Sequence, residues 1–387
     1  FGEFMLTDAD TQVTGGAAGL VVTYHETMSD AENNVNALSS PYDNIVFETQ
    51  TIYVRVESQT IVTDCASYVE LQLIVNETPQ IELTPAELEE CDDDTDGLAA
   101  FDLTQANDEL LNLLDSDTSN DIDPSEVTIT YYQSEADAEA PSNAIGTPSN
   151  YTNVTPDMET IWVRVEYNAT GCYTVTDLDL IVNPLPVLVQ PDPLNLCDYN
   201  NPGDEQEVFT LEDANAQILN GQTGITLTYY DTQAGANTAD ATAQIFSPYT
   251  NGPNPQTVYV RAEDDVTGCV STITLDLRVN PLPSPATPSP LVACDEDNDG
   301  FYTEFDLDSQ TTTIINGEPN ISISYYETLT NAQNAIDPIP STLPYENIDP
   351  DVQTIYVRAE NDITGCYTIV TMDLIVEPSP VIPTDLE

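Results

Sequence analysis

The heptapeptide Thr-[Ile/Val]-[Tyr/Trp]-Val-Arg-[Val/Ala]-Glu occurs four times, starting at Thr51, Thr160, Thr257 and Thr354. The copies lie 109, 97 and 97 residues apart. That is longer than a solenoid unit and close to a seven-strand sandwich, so each period is expected to be a whole domain. Other landmarks keep the same phase. A tyrosine pair at 131–132, 229–230 and 325–326, Tyr24-His25 in the first copy, lies 27 to 29 residues before the heptapeptide. A lone cysteine follows the start of the heptapeptide by 12 residues, or 14 in the first copy, and a Cys-Asp step opens the next period at Cys91, Cys197 and Cys294. This phase gives an incomplete repeat over 1–78, full repeats over 79–184, 185–281 and 282–378, and the start of a further one over 379–387. A chain divided in this way is expected to be a segment of a longer one.

Strands dominate the pattern. The last strand of each period alternates apolar and polar residues, as in Leu178, Leu180, Val182 and Ile273, Leu275, Leu277, Val279, so one face is expected to be buried. In the heptapeptide strand Ile161, Val163 and Val165 share one face, and Trp162, Arg164 and Glu166 the other. Short helices are expected near Leu103 to Leu114 and after the tyrosine pair, at Glu135 to Ala140. The extra length of the second repeat is assigned to a surface loop from Leu113 to Ser125. The fold class is therefore all-β: tandem immunoglobulin-like β-sandwich domains with short helical insertions, arranged as a linear rod. Proline-bearing junctions such as Val-Asn-Pro-Leu-Pro at 182–186 and 279–283 fix φ and restrict hinging.

Five basic residues, all arginine, face 68 acidic ones, for a formal charge of −63. Such a field repels nucleic acid and anionic membranes, and no apolar run is long enough to insert in a bilayer. Charge of this size accompanies disorder in polar chains, but 40% apolar residues in regular alternation are enough to build cores.

Seven cysteines in two fixed positions of the repeat read as a disulfide framework and an oxidising compartment, because no two have metal-ligand spacing and the only histidine is His25. Two pairings suit the count. Bonding within repeats joins Cys91 to Cys172, Cys197 to Cys269 and Cys294 to Cys366, leaving Cys65. Bonding across junctions joins Cys65 to Cys91, Cys172 to Cys197 and Cys269 to Cys294, leaving Cys366. The strand after Cys172 carries the chain roughly 33 Å away at about 3.3 Å per residue. In an immunoglobulin-like sandwich the start of the first strand and the turn before the last strand are expected to share one pole, so bonding within repeats is favoured.

The acidic stretches offer the main candidate chemistry. Asp92, Asp94 and Asp96 before Gly97, and Asp295, Asp297 and Asp299 before Gly300, reproduce the Asp-x-Asp-x-Asp-Gly opening of a calcium loop. Asp102 and Asp306 follow as further candidate ligands. No helix precedes either loop, so an EF-hand is not expected, and the third repeat carries an eroded version in Asp198, Asn200 and Asp204. The alternative reading of each stretch is a solvated acidic turn.

The recurrent arginines Arg55, Arg164, Arg261 and Arg358 are read as partners in structural cross-strand ion pairs, and His25 as a tolerated surface substitution. Acid pairs that recur in copy after copy argue against a glycosidase active site, so no enzyme is expected.

The combination Leu-x-x-Cys-Asp-x-Asp-x-Asp-Gly, Phe-Asp-Leu, the tyrosine pair, Gln-Thr-Ile-Tyr-Val-Arg-[Val/Ala]-Glu, Thr-Gly-Cys-Tyr and Val-Asn-Pro-Leu-Pro resembles the repeats of giant surface proteins of Bacteroidota. Those proteins use type 9 secretion and are known as gliding-motility-associated adhesins. The resemblance implies an extracellular, cell-surface stalk or filament segment; the cysteines and acidic loops read above would staple it with disulfides and rigidify it with calcium. Its partners would be further repeats of the same chain and copies associating laterally or end to end, with the surface or glycan ligand undefined. The alternative is a secreted glycan-binding or polysaccharide-degrading protein, which requires a unique aromatic platform or acid pair. Trp162, the single tryptophan, stands where the other copies have tyrosine.

Overall fold

Each repeat is built on the heptapeptide strand because its β-branched alternation suits the middle of a sheet with one dry face. The computed structural model describes residues 1–59, 65–114, 118–340 and 344–380. They form two compact units, Phe1–Pro184 and Leu185–Glu387, each holding two repeats. In the second repeat the opening strand Leu88–Cys91, the closing strand Tyr173–Asn183, the arginine strand Met158–Tyr167 and the tyrosine strand Val127–Tyr132 lie side by side in that order. The fourth repeat repeats this order with Leu291–Asp295, Tyr367–Pro378, Val352–Asn361 and Ile321–Tyr326. The third does so with Leu194–Cys197, Val270–Asn280, Gln256–Asp264 and Ile225–Tyr230, and adds the short strand Gln244–Ile245. Among the described residues the main sheet of the first repeat has the tyrosine, arginine and closing strands, Leu20–His25, Thr49–Ser58 and Ala66–Ile74.

The arginine strand pairs antiparallel with both neighbours, whereas the opening strand runs parallel to the closing one. A parallel first strand beside the last, followed by two antiparallel neighbours, is one face of an immunoglobulin-like sandwich. The chain is thus a tandem of immunoglobulin-like domains. The opposite layer is small. It consists of a two-residue ladder, Ala100–Phe101 with Tyr151–Thr152 in the second repeat, and a 3-10 turn leading into one helical turn, Leu103–Ala106 then Asn107–Leu110. Leu178, Leu180, Ile161, Val163 and Val165 of the sheet bury against Phe101, Leu103 and Leu110 of this layer. The first tyrosine of the pair links the layers: the Tyr131 hydroxyl donates to the Leu103 carbonyl at 3.1 Å and to Asn107 Oδ1.

The second expected helix, Glu135–Glu139, lies on the other side of the sheet, capped by Ser134. The heptapeptide arginine holds it there. Arg164 Nη1 donates to the Ala138 carbonyl at 3.0 Å, Nε and Nη2 donate to Glu166 Oε2 at 2.9 and 2.7 Å, and the guanidinium carbon sits 3.3 Å from the centre of the Tyr173 ring. Arg358 meets the corresponding partners, with Nη1 on the Ala332 carbonyl, Nε on Glu360 Oε2 and the guanidinium over Tyr367. The role is structural as expected, but the ion pair lies within one strand rather than across two. His25 differs more from its reading. It is fully buried, with Nδ1 2.7 Å from the Val35 carbonyl and Nε2 2.9 Å from Thr23 Oγ1, because the second residue of the tyrosine pair faces inward beneath this helix.

Of the expected loop over 113–125, residues 115–117 lie outside the described residues. Ile122 returns to the core and donates its amide to the Leu111 carbonyl at 3.1 Å. Residues 381–387, most of the expected start of a further repeat, also lie outside the described residues. The junction prolines dock on the repeat that follows them. Thr174, Ser271 and Thr368 of the closing strands donate to the carbonyls of Pro79, Pro186 and Pro283 at 2.6, 2.7 and 2.6 Å.

Among the described residues no ring lies over Arg261, since Val270 replaces the tyrosine that starts the other full repeats' closing strands. Arg164→Ala is expected to destabilise its repeat by about 2–3 kcal/mol, below the usual cost of orphaning a buried ion because Glu166 keeps contact with water. Arg261→Ala is expected to cost about 1 kcal/mol less, the worth of one cation–π contact. Amide hydrogen exchange of the two arginine strands in the full chain measures both, and equal costs would show that the ring contributes nothing.

Candidate functional site: the repeat junction and the acidic loops

The parallel register fixes the cysteines. Cys91, Cys197 and Cys294 stand beside Asn183, Asn280 and Glu377, at the far ends of their closing strands. Cys172, Cys269 and Cys366 immediately precede the starts of those strands. Two cysteines of one repeat therefore lie at opposite poles, a closing strand apart.

The bond observed joins neighbours: Cys197 to Cys366, with Cα atoms 5.5 Å apart and a sequence separation of 169. It excludes both pairings drawn from the sequence for these residues, Cys197 with Cys269 or Cys172, and Cys294 with Cys366. Cys172 and Cys294 are free thiols, so Cys91–Cys172 and Cys269–Cys294 are excluded too, while Cys91 and Cys269 are both disulfide-bonded. The error lay in placing the start of the first strand, rather than its end, beside its cysteine. The opening strand ends at Leu-x-x-Cys, or one residue beyond it in the fourth repeat, so the cysteine marks its exit pole, where the following repeat begins.

Aromatic and polar contacts surround this junction. Tyr199, two residues beyond Cys197, and Tyr367, one beyond Cys366, have ring centres 5.6 Å apart at an interplanar angle of 60°. The Tyr367 amide donates to the Tyr199 hydroxyl at 3.4 Å. Arg358 lies 3.4 Å from the centre of the Tyr367 ring, and Cys366 Sγ lies 4.0 Å from the Asn280 carbonyl oxygen.

Directly after the first cysteine come the acidic loops. Asp92 is buried and turns its carboxylate back on its own loop: Oδ1 accepts from the amides of Asp94 and Thr95 at 3.1 and 2.7 Å, and Oδ2 from Gly97 at 3.0 Å. Asp295 accepts in the same way from Asn298 at 2.5 Å, Asp299 at 3.2 Å and Gly300 at 2.8 Å. Burial raises the pKa of each, but these amides outweigh it and hold the carboxyl below its usual range. Asp94 and Asp297 move upward, chiefly because Asp96 and Asp299 crowd them with like charge. One oxygen from each of Asp92, Asp94 and Asp96 lies within 4.8 Å of the others, as do those of Asp295, Asp297 and Asp299.

Asp102 and Asp306 do not join these groups. The chain has already left the loop for the small layer, where both occupy the capping position of a 3-10 turn, and Asp102 Oδ1 accepts from Thr104. In the third repeat Asp198 Oδ2 accepts from Gly203 at 2.6 Å, while Oδ1 is buried without a hydrogen-bond partner. Asn200 and Asp204 do not converge on it in a carboxylate group: Asn200 donates to Glu207 and Asp204 accepts from Asn201.

Sequence reasoning missed the clasp beneath these loops. Buried Asn153 accepts from the Ala99 amide at 2.7 Å and donates to the carbonyls of Gly97 and Thr155 at 3.0 and 2.8 Å. Asn347 and Asn251 recur in the same place. Gln353 and Gln256 brace the adjoining tyrosine and turn, with Glu159 in their place in the second repeat. The signal was a Tyr-x-Asn step before each heptapeptide. Gly97 has φ +77°, and a Cβ there would meet Asp157 and Pro156 at 2.8 and 2.9 Å, so glycine is required where loop and turn touch.

Non-reducing peptide mapping is expected to recover the Cys197 peptide bonded to the Cys366 peptide, and a Cys197–Cys269 link would contradict the geometry. The depressed carboxyls of Asp92 and Asp295 contribute stability that is complete above their unfolded value of 3.8 and lost as pH falls through the lower folded value. The Gly97 and Gly300 amide resonances should therefore hold at pH 4 and shift only below about pH 3.8. Movement above pH 5 would show that these bonds do not govern the loops.

No curated protein matches the chain. Among solved structures, the titin I-band fragment I67-I69 is 12% identical, covering 79% of this chain and 100% of that one, with a TM-score of 0.27. Sidekick-1 immunoglobulin domains 1-5 are 11% identical, covering 94% and 75%, with a TM-score of 0.25. The sialic acid binding region of the Streptococcus sanguinis SK1 adhesin is 13% identical, covering 88% and 77%, with a TM-score of 0.21. A family model, the Flavobacterium inter-domain disulphide bond domain, matches residues 1–79, 87–186, 193–283 and 290–380. Matched in four stretches that leave out only 80–86, 187–192, 284–289 and 381–387, the chain belongs to the Flavobacterium inter-domain disulphide bond domain family.

Proposed function

We propose that the chain is a structural stalk segment of an extracellular protein, in which covalent bonds between neighbouring repeats limit how far the junctions open. The Cys197–Cys366 bond carries this reading. It joins two folded repeats alongside their linker, adds no reactive group, and belongs to an oxidising compartment. Among the described residues no helix is long and apolar enough to cross a membrane. The resemblance to giant type 9-secreted, gliding-motility-associated adhesins of Bacteroidota supports a place at the cell surface. There the partners would be further repeats of the same chain and copies side by side or end to end, with adhesion spread over weak multivalent contacts.

Calcium is part of the proposal. Asp92, Asp94 and Asp96, and Asp295, Asp297 and Asp299, offer converging hard oxygen ligands. A cation there would relieve the like-charge crowding that raises Asp94 and Asp297. Asp102 and Asp306 are not in the proposed ligand set.

Single-molecule stretching of the oxidised full chain tests the stalk. The bond withholds the residues between Cys197 and Cys366 from extension, a sequence separation of 169, so a reductant should add at least roughly 550 Å of contour at about 3.3 Å per residue. Unchanged contour would refute the stapled stalk, and saturable binding of the same chain to one glycan on an array would replace it with a ligand-binding role. Calcium titration by calorimetry should lose one class of sites in Asp94→Asn/Asp96→Asn and the other in Asp297→Asn/Asp299→Asn. Heat that is absent, or indifferent to these changes, would remove calcium from the proposal.

A further inference from the structure

The acidic loop of the third repeat differs from the other two in a way that charge alone does not describe. At the second position after the opening cysteine the second and fourth repeats carry Asp93 and Glu296, and the third carries Tyr199. Tyr199 leaves its own repeat to meet Tyr367 at 5.6 Å between ring centres, with its hydroxyl accepting from the Tyr367 amide at 3.4 Å. Each ring follows a cysteine of the Cys197–Cys366 bond closely, by two residues and one. Arg358, held by Glu360 at 2.7 Å, lies 3.4 Å from the centre of the Tyr367 ring and leaves it little freedom to turn away. The partner ring is also not universal: the third repeat's own closing strand starts with Val270.

We propose that Tyr199 is a positioning residue for the inter-repeat disulfide: its contact with Tyr367 holds repeats three and four docked when the bond is open, and so keeps the Cys197 and Cys366 thiols opposed. The chemistry of closure is ordinary exchange. With oxidised glutathione as oxidant, one cysteine thiolate displaces a glutathione thiolate and bonds to the other half. The second cysteine thiolate then displaces that half, so one disulfide forms and two glutathione thiols are released. The aromatic contact raises the effective concentration of one thiol at the other, because an offset or tilted ring pair contributes beyond its buried area.

Equilibrating the full chain in glutathione buffers and quantifying the Cys197–Cys366 peptide pair by mass spectrometry reads that effective concentration directly. Tyr199→Ala and Tyr367→Val, the latter copying Val270, are each expected to lower it roughly three- to tenfold. The double variant should fall no further than either alone, because the two residues act through one contact, and Tyr199→Phe should stay within about twofold. Circular dichroism checks that each variant keeps its sheet content. Wild-type values in Tyr199→Ala, or losses that multiply in the double variant, would overturn the proposal. Neither result depends on whether the chain serves as a stalk.

Discussion

Parallel pairing of the opening strand with the end of the closing strand governs what each repeat can do. It sends the first cysteine to the pole where the chain exits and leaves the second at the pole where it enters. A cysteine at an exit pole faces only what comes next. The same pairing sets the acidic loop at that exit, directly after the cysteine, so the densest charge of the repeat stands close to the junction.

Around this sheet the polar groups are assigned with little waste. The arginine spends its donors on the helix carbonyl and on one glutamate, which is why a guanidinium only 6% exposed at Arg164 and at Arg358 is tolerated in a chain otherwise crowded with acid. The buried asparagines hold loop and turn together from beneath. The Asp92 and Asp295 carboxylates close each loop from within, on three backbone amides apiece. The aspartates at Asp92 and Asp295 are then fixed anions, and their neighbours at Asp94 and Asp297 bear the repulsion.

Much of this was legible in the sequence. The heptapeptide fixed the count of repeats, and alternation in the closing strand identified Leu178, Leu180 and Val182 as core because a half-buried strand has period two. Both short helices appeared near their expected places, since Ser134 and Asp102 are ordinary caps. Strand order was not legible. Nothing local in Leu-x-x-Cys tells which neighbour it pairs with or at which end of the closing strand it sits, and the disulfide pairing depends on that placement. His25 was misread for a related reason: a residue unlike its counterparts looked like a surface substitution, whereas the position is buried in every repeat and His25 finds partners there for both ring nitrogens.

The separation of the two cysteines within a repeat bears on how the chain matures. Made from its N-terminus, the chain presents Cys197 long before Cys366, and Cys269 becomes available in between. A thiol in a flexible chain would take the nearer partner. Once the third repeat has folded, its closing strand holds Cys197 and Cys269 roughly 33 Å apart at about 3.3 Å per residue, beyond the reach of a disulfide. Folding of the third repeat before oxidation therefore bars its two cysteines from each other, the finished domain acting as the spacer that leaves Cys197 for Cys366.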